Sequence, residues 1–271
     1  MRRTLALATI LGAAWAAVAA ADGGGPSPGV GFGSPGLVDG SGKVRYVALP
    51  GRDGTTVAAL GARAGRVLRW GYVHGILGIP TVAWDGSTSG LARNGHRLVL
   101  ATPPSYGTPT RFVVLDPRSL KVRARILLRG AFAFDAISPG GSLMYLIQYL
   151  DARSGRYAVR AFNLNTRRLY PGAIVDRREP DEKMNGQPVT RAESRSSAWA
   201  YTLYGRTNKG PFVHALDTVH RRAFCVDLPW RSTPRWLGRT KMRVQGGELL
   251  LQVGGTTKAR VDTKTFEVTA G

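Results

Sequence analysis

Between Phe134 and Leu169 the chain alternates short apolar runs with polar turns. The run Leu143-Met144-Tyr145-Leu146-Ile147 follows the turn Ser138-Pro139-Gly140-Gly141. A polar turn around Ser154-Gly155 separates it from a second strand, Tyr157 to Phe162, and Asn163-Leu164-Asn165-Thr166 leads into a third. Apolar runs this short, bounded by Gly, Pro, Asn and Ser, read as strands. The chain beyond its first residues shows no amphipathic helix of useful length.

The unit recurs. A turn precedes an apolar strand at Arg52-Asp53-Gly54, Arg93-Asn94-Gly95, Pro139-Gly140-Gly141, Arg195-Ser196-Ser197 and Gln245-Gly246-Gly247. Gly and Asn suit such reversals because they tolerate positive φ. A second anchor ends the next strand at Asp116, Asn163, Asp217 and Asp262. Its side-chain oxygen can accept from the backbone amide two residues on. These anchors lie about 47, 54 and 45 residues apart, the period of a propeller blade. Arg69, about 47 residues before Asp116, ends the matching strand of a degenerate first unit.

One further strand follows each second anchor, as at Val122 to Leu128 and Ala223 to Leu228. Another precedes each first anchor: Val44 to Leu49, Thr81 to Trp84, Ala131 to Ile137, Val189 to Ala192 and Lys241 to Val244. The expectation is an all-β chain, a β-propeller of about five four-stranded blades over residues 43–271. Radial packing of four-stranded sheets hides their edges. A two-sheet sandwich is the alternative.

The chain resembles the secreted bacterial β-propellers related to WD40 and YVTN repeats. The resemblance covers about Lys43 to Val268 and rests on the S-P-G-G turn at Ser138 to Gly141 and the D-x-x-[ST]-type turns. It departs from them in lacking a Trp-Asp pair at a strand end, since Trp84-Asp85 sits elsewhere in its unit, and in having Ala200-Tyr201-Thr202-Leu203 where Tyr-Val-Thr-Asn would stand. The resemblance implies a propeller fold. It also implies binding of proteins, peptides, glycans or small ligands, with enzymes in some members.

Residues 1–21 read as a signal peptide, from Arg2 and Arg3, the apolar run Leu5 to Val18 and the small residues Ala17 to Ala21. A retained amino-terminal anchor is the alternative, against which the run is short. Residues 22–42, rich in Gly, Pro and Ser, read as a flexible linker. Its Gly31-Phe32-Gly33-Ser34-Pro35-Gly36 matches G-x-G-x-x-G but lacks the preceding strand and following helix of a phosphate-binding loop. No cofactor is expected. The mature protein is expected outside the cytoplasm, at the cell envelope or secreted, and not integral to a membrane.

Charge changes the picture of partners. Lys and Arg number 38 against 17 Asp and Glu, a formal net charge of +21. That surplus favours an anionic envelope polymer or a protein partner. No basic helix, arginine run or RNA-stacking motif accompanies it, so specific nucleic-acid binding is not expected. The single Cys225 excludes an internal disulfide, and its spacing supports no metal site.

Counting four residues back from each first anchor gives one channel-lining position per blade: Ala48, Ser89, Asp135, Arg191 and Lys241. Ser89, Asp135, Arg191 and Lys241 are therefore ligand-binding candidates, with Asp135 expected to pair with Arg191. A glycosidase needs facing carboxylates; this ring supplies Asp135, with Asp85 and Glu193 further off. Gly86-Ser87-Thr88-Ser89-Gly90 has Thr at the centre of a near G-x-S-x-G and no strand-to-helix elbow. His74, His96, His214 and His220 are scattered and expected at the surface. No catalytic or metal set emerges.

The loop Asp176 to Pro188 carries dense charge of both signs, and long loops on rigid scaffolds often carry function. Asp176, Arg178, Glu179, Asp181 and Glu182 are its partner-binding candidates. The reading is an exported, non-enzymatic binding module at the cell envelope. The alternative is a propeller hydrolase or lyase acting on an extracellular polymer or lactone.

Overall fold

Leu143 to Tyr149 shows why these apolar runs become blades. Met144 and Leu146 pack toward the preceding sheet, while Tyr145 and Ile147 pack toward the next. A strand buried on both faces needs apolar residues at consecutive positions, and side chains of a strand alternate between faces. The computed structural model describes residues 29–152, 155–181, 184–207 and 209–271. The expected signal peptide, the linker's first seven residues and Glu182 therefore lie outside the described residues.

The fold is a five-bladed β-propeller. Blade 1 comprises Leu37–Val38, Val44–Pro50, Gly54–Gly61 and Val67–His74. Blade 2 comprises Leu98–Ala101, Thr110–Leu115 and Val122–Leu128. Blade 3 runs from Phe132–Ile137 through Leu143–Tyr149 and Tyr157–Asn163 to Arg168–Leu169. Blade 4 holds Gln187–Glu193, Trp199–Gly205, Phe212–Asp217 and Arg222–Asp227. Blade 5 holds Lys241–Gln245, Glu248–Val253, Thr256–Asp262 and Val268–Ala270. All neighbouring strands are antiparallel. In blades 1, 3, 4 and 5 the first strand is innermost.

Blade 2 departs from the four-stranded expectation. Its inner edge is assembled from two pieces, with Gly78 bridging Ala101 and Leu91 bridging Leu98. Between them residues 81–89 leave the sheet as a small hairpin, closed by Val82 N donating to Ser87 O at 2.8 Å. Thr81 to Trp84, expected as the inner strand, is one arm of this hairpin. Asp85 holds the tip, accepting from Ser87 N at 3.0 Å and Ser87 Oγ at 2.5 Å.

Blade 1 also differs. Val44 to Pro50 is its second strand, not its first, and Leu37–Val38 is the inner one. The segment expected as linker is folded from Val30 onward: Val30–Gly31 pairs with Ile79–Pro80. Asp39 makes the blade's first turn, accepting from Lys43 N at 2.9 Å and Val44 N at 3.0 Å. Its carboxylate does what the Ser138 and Ser194 hydroxyls do in blades 3 and 4, accepting from the amide five residues on, and the polar, Gly-rich composition around it reads as linker. Arg69 accordingly lies in the outer strand and spans to blade 2, donating to Pro117 O.

Four seams between consecutive blades each hold a cluster of 13 or 14 buried residues. Blades 1 and 5 turn a different kind of face toward the gap between the chain's ends. Val47, Ala58 and Leu250 are buried there, but no cluster, hydrogen bond or ion pair joins the two blades among the described residues. Leu68, Trp70 and Tyr72 stay exposed on that side of blade 1.

Candidate functional site

The inner strands of blades 3 and 4 each carry a bulge, between Phe134 and Ala136 and between Pro188 and Thr190. A bulge leaves one residue out of the ladder and re-aims its side chain. In blade 3 that residue is Asp135. It pairs with Arg191 of blade 4, and both side chains are only 4% exposed. Across blade 4, Arg191, Thr202, His214 and Cys225 stand in register on the face turned to blade 3. A polar row thus crosses an otherwise apolar seam.

His214 is buried, not at the surface as its sequence context suggests, and packs edge-on against Tyr204 at 6.4 Å. Burial pulls its pKa from 6.5 down to about 4, against the attraction of Asp135. Tyr204 and Tyr157 stack at 5.7 Å, and burial pushes both phenols well up.

The bulge in blade 4 has a second effect. Carbonyls of Pro188 and Val189 accept from Trp84 N at 2.9 Å and Asp85 N at 3.1 Å, so the hairpin 81–89 docks across the axis. Asp85 Oδ2 then accepts Thr190 Oγ1 at 2.7 Å and Lys241 Nζ at 3.0 Å. Burial raises the Asp85 pKa, but the bonds from Ser87, Thr190 and Lys241 outweigh it and hold the carboxyl below its usual range. With Val30–Gly31 against blade 2 and Gly33 N donating to Ala48 O at 2.8 Å, the axis is filled by chain. Asp85 and Asp135, the carboxylates a hydrolytic reading needs, each hold a cation.

The expected site residues fall into three places. Asp135 and Arg191 pair in the seam between blades 3 and 4. Lys241 is brought to Asp85 on the axis, not to Asp135. Ser89 donates to Glu193 Oε1 at 3.4 Å and lines a wide cleft of about 840 Å³ at one end of the axis, with Asp39, Arg93 and Arg195. Ala48 lies on a second strand, outside the inner ring.

The loop 176–188 is partly structural. Asp176 is buried and accepts from Arg178 Nη2 at 2.6 Å, Arg178 N at 2.9 Å and Cys225 N at 2.8 Å. Burial raises its pKa, but these donors prevail and hold it below the carboxylate norm. Arg178 lies over the Phe224 ring at 5.2 Å, and Met184 is buried in the seam between blades 3 and 4. Glu179 and Asp181 stay exposed.

Two features escape the sequence reading. A cavity of about 40 Å³ at the opposite end of the seam between blades 3 and 4 is walled by Tyr106, Tyr149, Tyr157, Tyr204 and Asp135. The available signal was the aromatic residue ending the second strand and opening the third: Tyr149 pairs with Tyr157, and Tyr204 with Phe212. The second feature is a groove of about 410 Å³ on the seam between blades 2 and 3, lined by Arg97, Arg123, Arg167 and Asn165. Arg97 donates to Asn165 Oδ1 at 2.6 Å, and Arg123 pairs with Asp116. Burial, and then the Arg123 charge, lower the Arg97 pKa.

No protein-family model and no curated protein matches the chain. Among solved structures, it is similar to the β-propeller domain of Myceliophteria thermophila Cps50 (Swd1). The TM-score is 0.50 at 13% identity, covering 91% of this chain and 72% of that one. It is also similar to TolB from Acinetobacter baumannii, at TM-score 0.44 and 9% identity, covering 85% of this chain. The match spans about half, 52%, of the TolB chain. A functionally unknown protein from Desulfotomaculum acetoxidans gives TM-score 0.49 at 11% identity, covering 87% of this chain and 67% of that one. Identities this low speak to the fold alone. No helix among the described residues is long and apolar enough to cross a membrane.

Proposed function

We propose that this chain is an exported binding module that engages an anionic polymer of the cell envelope. The observation that carries the reading is the groove where Arg97, Arg123 and Arg167 converge. Guanidinium forks match phosphate and carboxylate oxygens two at a time, and Arg stays charged when partly buried. A rigid blade seam holds the three groups, and the net charge of +21 draws polyanions toward them. The wide cleft beside Ser89, Arg93 and Arg195 offers a second concave surface on the same scaffold, where a protein partner would sit.

The test is co-sedimentation and calorimetry with poly(glycerol phosphate) at rising salt. Binding is expected to weaken steeply and to fall further in R97E and R167E. Affinity that persists at about 1 M salt, where the Debye length is about 3 Å, or that ignores both reversals, rejects the reading.

A further inference from the structure

Several buried polar atoms in the seam between blades 3 and 4 have no hydrogen-bond partner: Asp135 Oδ2, Arg191 Nε and Nη1, and His214 Nε2. A buried carboxylate oxygen without a donor bears its full desolvation penalty, and buried polar atoms are otherwise almost always paired. Asp135 also lines the tyrosine-walled cavity, where it is the charged residue among the lining side chains. Arg191 engages Oδ1 and leaves Oδ2 over.

We propose that this cavity is a binding site for a small primary ammonium ligand, its nitrogen donating to Asp135 Oδ2 and its alkyl part lying on the tyrosine rings. Tyrosine ring faces carry negative quadrupole density, which favours a cation over an anion; Tyr106 and Tyr149 supply them here, because Tyr204 already stacks on Tyr157 and Phe212. An ammonium supplies the donor that Oδ2 lacks. The cavity's roughly 40 Å³ matches a few waters or a short alkylammonium head rather than a bulky quaternary one. Tyr106 is half-buried, on the loop before Thr110–Leu115, and meets Tyr149 edge-on at 6.4 Å. The cation preference opposes the basic surface of the whole protein, so it must arise locally. The inference does not depend on polymer binding in the arginine groove.

The experiment is calorimetry of the full chain with n-butylammonium, n-butanol and butyrate. Saturable butylammonium binding is expected, at least about tenfold tighter than butanol, the difference of one charge-assisted hydrogen bond. D135N should lose about tenfold or more, and Y106A severalfold. Because Tyr106 is on an exposed loop, Y106A carries the test should D135N fail to fold. Any of three results overturns the proposal: no saturable binding of the cation, equal affinity for butanol or butyrate, or affinity unchanged in the folded variants. Crystals soaked in butylammonium that show water alone in the cavity overturn it too.

Discussion

Asp85 and Lys241 stand 156 residues apart in the chain and meet at 3.0 Å on the propeller axis. The same carboxylate oxygen takes the Thr190 hydroxyl, so blades 2, 4 and 5 are tied at one atom. Lys241 is 69% exposed, whereas Asp85 is 10% exposed. The Thr190 and Ser87 bonds should therefore matter more than the ion pair. Asp85→Ala is expected to lower unfolding free energy by about 2 kcal/mol, because Thr190 is left buried without its acceptor. Lys241→Ala should cost under about 1 kcal/mol. Urea denaturation of both variants measures the difference.

The Asp135–Arg191 pair should behave in the opposite way to a surface pair. Asp135→Ala leaves a buried guanidinium without its partner, for an expected loss of about 3–5 kcal/mol. Replacing both residues, as D135L with R191M, removes the unpaired charge and should recover much of that loss. A double-mutant cycle followed by chemical denaturation checks it; a double variant no better than D135A contradicts the account.

His214 gives stability a pH dependence of defined sign. Its folded pKa is depressed, from 6.5 to about 4, so the unfolded chain binds the proton more readily. Stability is full above the unfolded value and declines as pH falls from 6.5 toward 4, by on the order of 3 kcal/mol at full buried shift. Asp85, Asp176 and Asp217 have pKa values lowered from 3.8, so their losses come below that window. His214→Phe should flatten the dependence between pH 6.5 and 4 while leaving the acid limb, read from urea midpoints across pH.

The folded stretch before Lys43 is part of the propeller. Removing residues 29–42 takes away blade 1's inner strand and the strand beside Ile79–Pro80, and uncovers Tyr46 and Val47. The shortened protein is expected to melt well below the full chain and to bind a hydrophobic dye. Gly36→Ala is the milder probe: its φ is +68° and an added Cβ would meet Tyr46 O at 2.3 Å. Strain of left-handed backbone, about 1–2 kcal/mol, is the floor of its expected loss.

The repeat was legible because Asp116, Asn163, Asp217 and Asp262 perform the same backbone capping in four blades. That local chemistry survives any tertiary context. Register differs in blade 1 because its first turn, Asp39 to Gly42, lies in the Gly- and Ser-rich stretch that reads as linker, so the strand boundary shifts by one strand. Asp135 and Arg191 were placed together correctly because both sit at matching positions on neighbouring inner strands. Lys241 was assigned to the same ring, but its partner came from the hairpin 81–89. Nothing local in Trp84-Asp85-Gly86 announces that bulged carbonyls of blade 4 will receive it. His214 was misplaced for a related reason: its burial comes from the facing blade. The arginine groove is likewise made by two blades and the tyrosine cavity by three, and only their individual residues are visible in one strand.

The seam between the first and last blades lacks the large apolar cluster that fills the other four, and no strand is exchanged across it. Energetically the molecule is a one-dimensional array of nearest-neighbour contacts with blades 1 and 5 at its two ends. Fraying is then a process of the ends: hydrogen exchange should be fastest in blades 1 and 5 and slowest in blades 2 to 4. Closure is an intramolecular reaction with its own effective concentration, and above that concentration the exposed Trp70 side of one molecule can be covered by another molecule's last blade.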